Sequence, residues 1–384
     1  MKIQPCRILV TGAAGFIGAK VCEFLLTQPH LVSNALNDTN AQNAINVIGL
    51  DNLNDYYDVR LKNWRLQQLK NIRPIRSHSS QFAFHKIDIE NYASLRKLFQ
   101  HYSSVSHTKR ASFSSRHPRF SAPFHAVINL AARAGVRYSL ENPFIYYTTN
   151  ILGNLNLLEL CREFGVNKYV FSSSSSLYAG QKMPFKETLP VNEPISPYAA
   201  SKKSAEVTCF TYHKLFNIDV TILRYFTVYG PASRPDMSPL RFISWVHQGK
   251  PITIYGDGNQ SRDFTYIDDI ARGTIRALKR LNFEIINLGC DEPIKLIDFL
   301  RIIEEKMNKL THPELYRGVK SIKPKKLKIV YQPSHPADMQ ATWADIKKAR
   351  RLLDWKPKVK IDQGIQNSVD WFFKNRGWIT KIKI

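Results

Sequence analysis

The stretch RILVTGAAGFIG, residues 7–18, decides the fold. Arg7–Thr11 is an apolar run of strand length, short enough to be buried on both faces. Gly12, Gly15 and Gly18 follow at three-residue spacing, and Ile17, Val21, Phe24 and Leu25 then recur at helical spacing. A strand, a glycine turn and a helix in that order bring the turn's backbone N–H groups and the positive helix end to one point. That is a cradle for a pyrophosphate. Gly12 allows the tight turn, Gly15 lets the backbone approach the phosphates, and Gly18 lets helix and strand pack closely. Phe16 and Ile17 enter the cradle with them. The uncharged run Ile8–Ala19 has the length of a secretory core, but its three glycines answer to the turn instead.

Outward from this unit, short apolar runs alternate with helical patterns, the signature of βαβ units and a parallel sheet. Val47–Asp51, Ala126–Leu130, Tyr169–Ser172, Val220–Tyr225 and Ile285–Leu288 are the further strand candidates. Ile151, Leu152, Leu155, Leu158 and Glu159–Phe164 form an amphipathic crossover helix. After Phe226 the texture changes: Pro231, Pro235, Pro239 and the loop Gly256–Asn259 break the alternation. The expected architecture is a doubly wound parallel α/β sheet over 1–226, with a smaller lobe over 227–384. One late strand near 285–288 returns to the first sheet. Two segments, 28–46 and 103–123, interrupt the pattern and are expected to be flexible surface loops.

The chain has 384 residues, 43% of them hydrophobic, which suffices for a large core. Its 55 Lys+Arg against 31 Asp+Glu give a formal charge of +24. Two basic clusters stand out, Lys109, Arg110, Arg116 and Arg119, and Arg317, Lys320, Lys323, Lys325, Lys326 and Lys328. Neither has a zinc-finger or RNP context, so a solvated basic surface accounts for both and no nucleic-acid partner is expected. The five cysteines are scattered and lack any C-x-x-C pair, which argues against disulfides or a zinc site and for the reducing cytoplasm. No stretch reaches the length of a membrane span.

Two further features carry chemistry. Asp51 ends the second strand candidate, where a carboxylate accepts hydrogen bonds from a ribose and repels a 2′-phosphate, favouring NAD over NADP. Asp88 and Ile89 follow the next apolar run and belong near the adenine. Tyr198 and Lys202 stand at i and i+4 on one helical face, about 25 residues after the serine run Ser172–Ser176 at a strand end. A tyrosine of pKa ~10 needs about 4 kcal/mol of help to act as a base near neutrality. An ammonium about 4 Å away supplies roughly that at an effective dielectric near 20. A serine hydroxyl beside them can bind the substrate oxygen as it loses its proton.

Together these residues resemble the extended short-chain dehydrogenase/reductase family, in its NAD-dependent epimerase/dehydratase branch. The likeness is carried by VTGAAGFIGA (10–19), GLDNLNDYYDVRLK (49–62), NLAARAGVRYSLENP (129–143), SSSSSLYAGQKMPF (172–185), SPYAASKKSAE (196–206), LRYFTVYGPASRPDM (223–237) and SRDFTYIDDI (261–270). Within the family the longer phrases are most like nucleotide-sugar 4-epimerases of the UDP-glucuronate type. The resemblance implies a Rossmann-type fold, bound NAD, a UDP-sugar substrate and a homodimer. It implies Tyr198 as base, Lys202 as its partner on the nicotinamide ribose, and Ser174 and Ser176 on the sugar hydroxyl. It places Asp51, Asp88, Leu130, Ala131, Thr149 and Phe226 along the cofactor. Arg262 falls on the substrate diphosphate, and Thr227 and Arg234 on the sugar carboxylate. Arg133 stands where the family usually has Gln, and Ala232-Ser233 where Trp-Gly is usual. Related dehydratases carry an Asp-Glu pair after the catalytic Ser/Thr, and related decarboxylases a Glu. Here Ser175 and Ser176 occupy those positions, which disfavours both. A neutral UDP-hexose or UDP-N-acetylhexosamine epimerase is the second reading. A non-catalytic NAD-binding or nucleic-acid-associated protein is a distant third.

Overall fold

A computed structural model describes residues 6–36, 45–73, 80–103, 122–308, 327–334 and 337–383. Seven parallel strands form the main sheet: β1 (Cys6–Thr11), β2 (Ile45–Asp51), β3 (Gln81–Lys86), β4 (Ala126–Asn129), β5 (Lys168–Ser174), β6 (Asp219–Tyr225) and, later in the chain, β10 (Phe283–Leu288). Their spatial order is β10-β6-β5-β4-β1-β2-β3. The order reverses direction at β1, between β2 and β4, the switch point where open α/β sheets bind ligands.

Successive side chains of β1 serve opposite faces of the sheet. Ile8 and Val10 pack beneath α1 (Phe16–Thr27) and α2 (Pro29–Leu36). Leu9 packs on the other face with side chains from α4 (Tyr92–Tyr102), α7 (Gly153–Phe164) and α8 (Pro197–Phe216). Between β2 and α4 runs α3 (Val59–Lys70), and between β4 and α7 the short α5 (Val136–Glu141) and α6 (Phe144–Tyr147). A π-helical turn, Thr148–Leu152, leads into α7.

Beyond Phe226 the chain alternates between structures. The strands β7 (Thr227–Tyr229), β9 (Ser261–Tyr266) and β11 (Pro293–Lys295) make a three-stranded sheet, and β8 (Ile252–Tyr255) pairs with β12 (Ile329–Gln332). The helices α9 (Ser238–Gln248), α11 (Leu296–Asn308) and α13 (Ile361–Lys374) enclose a separate apolar cluster with them. In contrast, α10 (Ile267–Arg276) packs on α1 and α2, and α12 (Lys347–Leu353) on β10.

One expectation is corrected. The segment 28–46 was read as a flexible loop, yet 29–36 is a helix and 45–46 begins β2. Leu31, Val32 and Ala35 are buried against the core, so the Asn-rich composition masks an apolar helical face. Residues 37–44 and 104–121 lie outside the described residues, so the expectation for 103–123 falls there almost entirely. Both basic clusters do too, apart from Lys328, which is exposed.

A buried ion pair fastens α8 to the sheet. Arg224 of β6 donates from Nε and Nη2 to Glu206 of α8 at 2.9 and 2.7 Å, and both side chains are almost fully buried. Ser173 Oγ donates to the same carboxylate at 2.6 Å, and Arg224 Nη1 to the Tyr178 hydroxyl at 2.8 Å. Glu206→Ala strands the guanidinium, and should cost about 3–5 kcal/mol of stability. Replacing both partners with apolar residues, Glu206→Leu with Arg224→Met, should restore most of it. Urea unfolding tests this: a single variant within about 1 kcal/mol of wild type sinks the assignment.

Candidate functional site

At the switch point a cavity of about 450 Å³ opens between the main sheet and the second half of the chain. Its floor is the glycine turn. Gly12 has a φ of +69°, and a Cβ there would stand 2.9 Å from the Ala131 nitrogen. A Cβ on Gly18 would stand 2.0 Å from the Gly12 carbonyl oxygen. Turn, helix and the segment after β4 therefore meet backbone to backbone. Gly15 is the N-cap of α1 and supplies no side-chain cap, which leaves the first-turn N–H groups for a ligand. Thr11 ties β1 to β4: its hydroxyl donates to Asn129 Oδ1 and accepts from the Leu130 and Ala131 N–H groups at 3.2 and 3.1 Å.

Asp51 closes β2 at the cavity wall. One of its oxygens accepts from the Leu53 N–H at 2.8 Å, and the buried Lys62 ammonium lies 3.8 Å away. Asp88 accepts from Asn52 at 2.7 Å and from the Glu90 N–H at 2.9 Å, which fixes its carboxylate at the same end. The cradle and the strand-end acid fit a dinucleotide of the NAD type.

The other end holds the tyrosine. Ser196 caps α8 by accepting from the Ala199 N–H, Pro197 occupies the first turn, and Tyr198 follows at the cavity edge. Burial raises the Tyr198 pKa, while the Ser174 hydroxyl and the charge of Arg234 pull it down. Ser174 Oγ accepts from the Ser176 N–H at 3.1 Å and lies 2.9 Å from the Ser176 hydroxyl.

Two cations of the site are held by the protein itself. Lys202 is one turn beyond Tyr198 on α8, but its Nζ donates to the Ser172 carbonyl at 2.7 Å. Burial pushes its pKa down to about 7. A desolvated ammonium takes a nearby carbonyl, and the Arg234 charge is one that lowers the Tyr198 pKa. Arg234 donates from Nε and Nη2 to Asp236 at 3.0 and 2.5 Å, and from Nη2 to the Ala134 carbonyl at 3.2 Å.

The loop that carries Arg234 has its own anchor. Ala232 takes a φ of +56°, a backbone suited to glycine, and its carbonyl accepts from Arg65 Nε and Nη2 at 3.2 and 2.7 Å. Arg65 Nη1 also donates to the Ala14 carbonyl at 3.0 Å, so α3 joins the glycine turn to the arginine loop.

All nineteen residues singled out in the sequence line this one cavity: Tyr198, Lys202, Ser174, Ser176, Gly12, Gly15, Phe16, Ile17, Gly18, Asp51, Asp88, Ile89, Leu130, Ala131, Thr149, Phe226, Thr227, Arg234 and Arg262. Arg262 Nη1 donates to the Ser261 and Gln340 carbonyls. Sequence reading assigned no role to Lys62, Tyr56 and Asp236. Tyr56 donates to the Ala134 carbonyl at 2.6 Å and lies under the Arg234 guanidinium at 5.1 Å. Lys62 and Tyr56 fall within the phrase 49–62, a signal that these residues were together at the strand end. Asp236 was signalled only by its spacing of two from Arg234. No group of His, Cys, Asp and Glu able to hold a metal occurs among the described residues. None of the described helices is long and apolar enough to cross a membrane.

Comparison with known proteins agrees with this geometry. The model of the NAD dependent epimerase/dehydratase family matches residues 8–289. A UDP-glucuronate 4-epimerase of Thermodesulfobacterium geofontis is 48% identical over 98% of this chain and 99% of its own length. The solved UDP-glucuronic acid 4-epimerase of Bacillus cereus, in complex with UDP-glucuronic acid and NAD, superimposes with a TM-score of 0.77 at 34% identity. That match covers 96% of this chain and 99% of the other. A UDP-glucose 4-epimerase of Thermotoga maritima with UDP-glucose matches with a TM-score of 0.72 at 27% identity, over 96% and 99% of the two chains. With a family match over most of its length and the glycine cradle, strand-end acid and tyrosine in one cavity, the chain belongs to the NAD dependent epimerase/dehydratase family.

Proposed function

We propose that this protein is an NAD-dependent UDP-sugar 4-epimerase that interconverts UDP-glucuronate and UDP-galacturonate. The observation that carries the reading is that Tyr198, Ser174 and Lys202 line the same cavity as the Gly12–Gly18 cradle. NAD bound on the Gly12–Gly18 cradle would supply hydride acceptance and return at C4 of the sugar. Tyr198 takes the 4-hydroxyl proton as that hydride leaves, and gives it back when the 4-keto sugar has turned its other face. Ser174 donates to the oxygen that becomes the ketone. Ser174 Oγ accepts from the Ser176 N–H, which fixes the hydroxyl beside the site. Hydride and proton both leave and return, so each turnover is redox-neutral. Lys202 is assigned to the nicotinamide ribose, and Asp51, Asp88, Ile89, Leu130, Ala131, Thr149 and Phe226 to the remaining cofactor surface. Arg262 is assigned to the substrate diphosphate. In this reading residues 1–226, with the strand at 283–288, hold the cofactor, and most of the rest holds the sugar nucleotide. Five cysteines without a disulfide suit a reducing cytoplasm.

Arg234 and Thr227 support the acidic sugar. Asp236 and the Ala134 carbonyl occupy Nε and Nη2 of Arg234, which leaves its Nη1 edge toward the cavity for a carboxylate. A 4-keto uronate is a β-keto acid that can lose CO₂, so an enzyme acting on it gains from holding the carboxylate still. The same Arg234–Asp236 pair favours the second reading, a neutral UDP-hexose, because a neutralised guanidinium does not require an acidic substrate. We also propose a homodimer. Val207, Phe210, Leu215 and Phe216 are exposed on α8, and Phe144 and Tyr147 on the neighbouring α6.

Tyr198→Phe should leave binding intact while turnover falls at least ~10²-fold. A rate near wild type removes Tyr198 from the base position. Ser174→Ala removes a contact that lowers the Tyr198 pKa, so the pH limb of kcat that reports the phenol should move to higher pH. An unmoved limb means that Ser174 does not act on the phenol. For the substrate, the comparison is kcat/KM for UDP-glucuronate against UDP-glucose. Arg234→Leu should reduce the preference for the acid by about 1.5–3 kcal/mol. A wild type that favours UDP-glucose, or an unchanged ratio, replaces the glucuronate reading with the neutral one. For the assembly, light scattering should give twice the 44.2 kDa chain mass, and Val207→Glu with Phe210→Glu should halve it. A monomeric wild type ends the dimer proposal.

A further inference from the structure

Arg65 of α3 is almost fully buried, and no carboxylate pairs with it among the described residues. Its nitrogens go to other acceptors. Nη1 donates to the Ala14 carbonyl at 3.0 Å and to the Tyr57 hydroxyl at 2.7 Å. Nε and Nη2 donate to the Ala232 carbonyl at 3.2 and 2.7 Å, and Nη2 reaches the Ser233 carbonyl at 3.5 Å. The guanidinium also faces the rings of Phe16 and Tyr57 at 6.0 and 5.5 Å. A buried guanidinium is costly unless its donors are met, and here they are met from parts of the chain far apart in sequence.

The two ends of this bridge belong to different halves of the site. Ala14 lies in the glycine turn, and its carbonyl shares a peptide plane with the Gly15 N–H, which donates to the Gly12 carbonyl at 2.8 Å. Gly12 and Arg65 therefore hold that plane from both sides, just before the first-turn N–H groups of α1. At the other end, Ala232 and Ser233 immediately precede Arg234 in the loop after β7. Ala232 takes a φ of +56°, a left-handed backbone that a Cβ resists, so the loop keeps this shape only where its surroundings impose it. The two donors of Arg65 on the Ala232 carbonyl impose it. Tyr57 lines the cavity and is faced by both guanidiniums, Arg65 at 5.5 Å and Arg234 at 5.9 Å.

We propose that Arg65 is a positioning residue for the sugar end of the site. By bracing the Ala232 carbonyl against the glycine turn, it sets where Arg234 presents its remaining donors, and through them the preference for an acidic sugar. The proposal rests on the assignment of Arg234 to the sugar carboxylate. Arg65 is not among the residues that line the cavity, so its effect on the substrate passes through the loop. A misplacement of about 1 Å in a group that holds the substrate is enough to cost up to ~10²-fold in rate.

The test is a double-mutant cycle on the full-length enzyme at saturating NAD, reading kcat/KM for UDP-glucuronate and for UDP-glucose. Arg65→Lys keeps the charge, but a compact ammonium does not reproduce a planar fork between two carbonyls. It should lower the glucuronate-to-glucose ratio about 10-fold, mainly by raising KM for UDP-glucuronate. In an Arg234→Leu background the same substitution should leave the ratio within about twofold, because the side chain that Arg65 positions is gone. Arg65→Gln removes the buried charge instead of stranding it, should show the same pattern, and serves where the lysine variant does not fold. A ratio unchanged in both Arg65 variants, with the two sugars losing rate alike, overturns the proposal and leaves Arg65 a structural residue. An equal fall of the ratio in both backgrounds overturns it too, since Arg65 would then act without Arg234. A wild type that favours UDP-glucose, or an Arg234→Leu enzyme with an unchanged ratio, overturns instead the carboxylate reading on which the proposal rests.

Discussion

The contact between Gly18 and the Gly12 carbonyl governs the rest of the site. A side chain at either position would overlap backbone, at 2.0 Å from the Gly12 oxygen in one case and 2.9 Å from the Ala131 nitrogen in the other. Because nothing stands between them, β1, α1 and the segment after β4 meet within backbone distance. That approach is what aims the first turn of α1 into the cavity. It also lets one hydroxyl, Thr11 Oγ1, serve both Leu130 and Ala131. From there the connection runs onward by hydrogen bonds, through the Arg133 backbone to Asn150 and from Asn150 to Ser201 on α8. Tyr198 and Lys202 are on that helix, so the tyrosine's position is set in part by a glycine far from it in sequence.

At the end of β5, three consecutive serines meet α8 in three different ways. Ser172 offers its carbonyl to Lys202, Ser173 its hydroxyl to Glu206, and Ser174 lines the cavity beside Tyr198 and lowers its pKa. Alternation along a strand would point Ser172 and Ser174 to one face and Ser173 to the other, but here the backbone and the side chains both take part. Small polar side chains are the reason this is possible, since a larger residue would separate strand from helix. The Glu206–Arg224 pair lies one helical turn below Lys202. Its negative end partly offsets the burial that drives Lys202 toward neutrality.

The strands and the cradle were legible because their signals are local and periodic. The run RILVT, the glycines at 12, 15 and 18, and the strand-end Asp51 each state a geometry within a few residues. The helix Pro29–Leu36 was not legible, because Asn and Ser beside three buried apolar residues look like a loop until α10 supplies the opposing face. The carbonyl that Lys202 takes was not legible for a related reason: helical spacing places Tyr198 and Lys202 on one face but says nothing of a carbonyl on a neighbouring strand. Arg234 shows the same limit at shorter range, since its partner is two residues away and the turn that joins them depends on Arg65, which is remote in sequence.

These pairings change what the basic composition means. An excess of 24 positive charges describes the surface and solubility of the chain, not its site. Inside the cavity, Lys62, Arg234, Lys202 and Arg262 are individually held by Asp51, Asp236 and backbone carbonyls. Such holding costs a cation some of its attraction for a ligand, but it fixes the direction in which the remaining donors point. Asp236 keeps the Arg234 plane fixed, so a carboxylate on the free edge would lose little entropy in finding it.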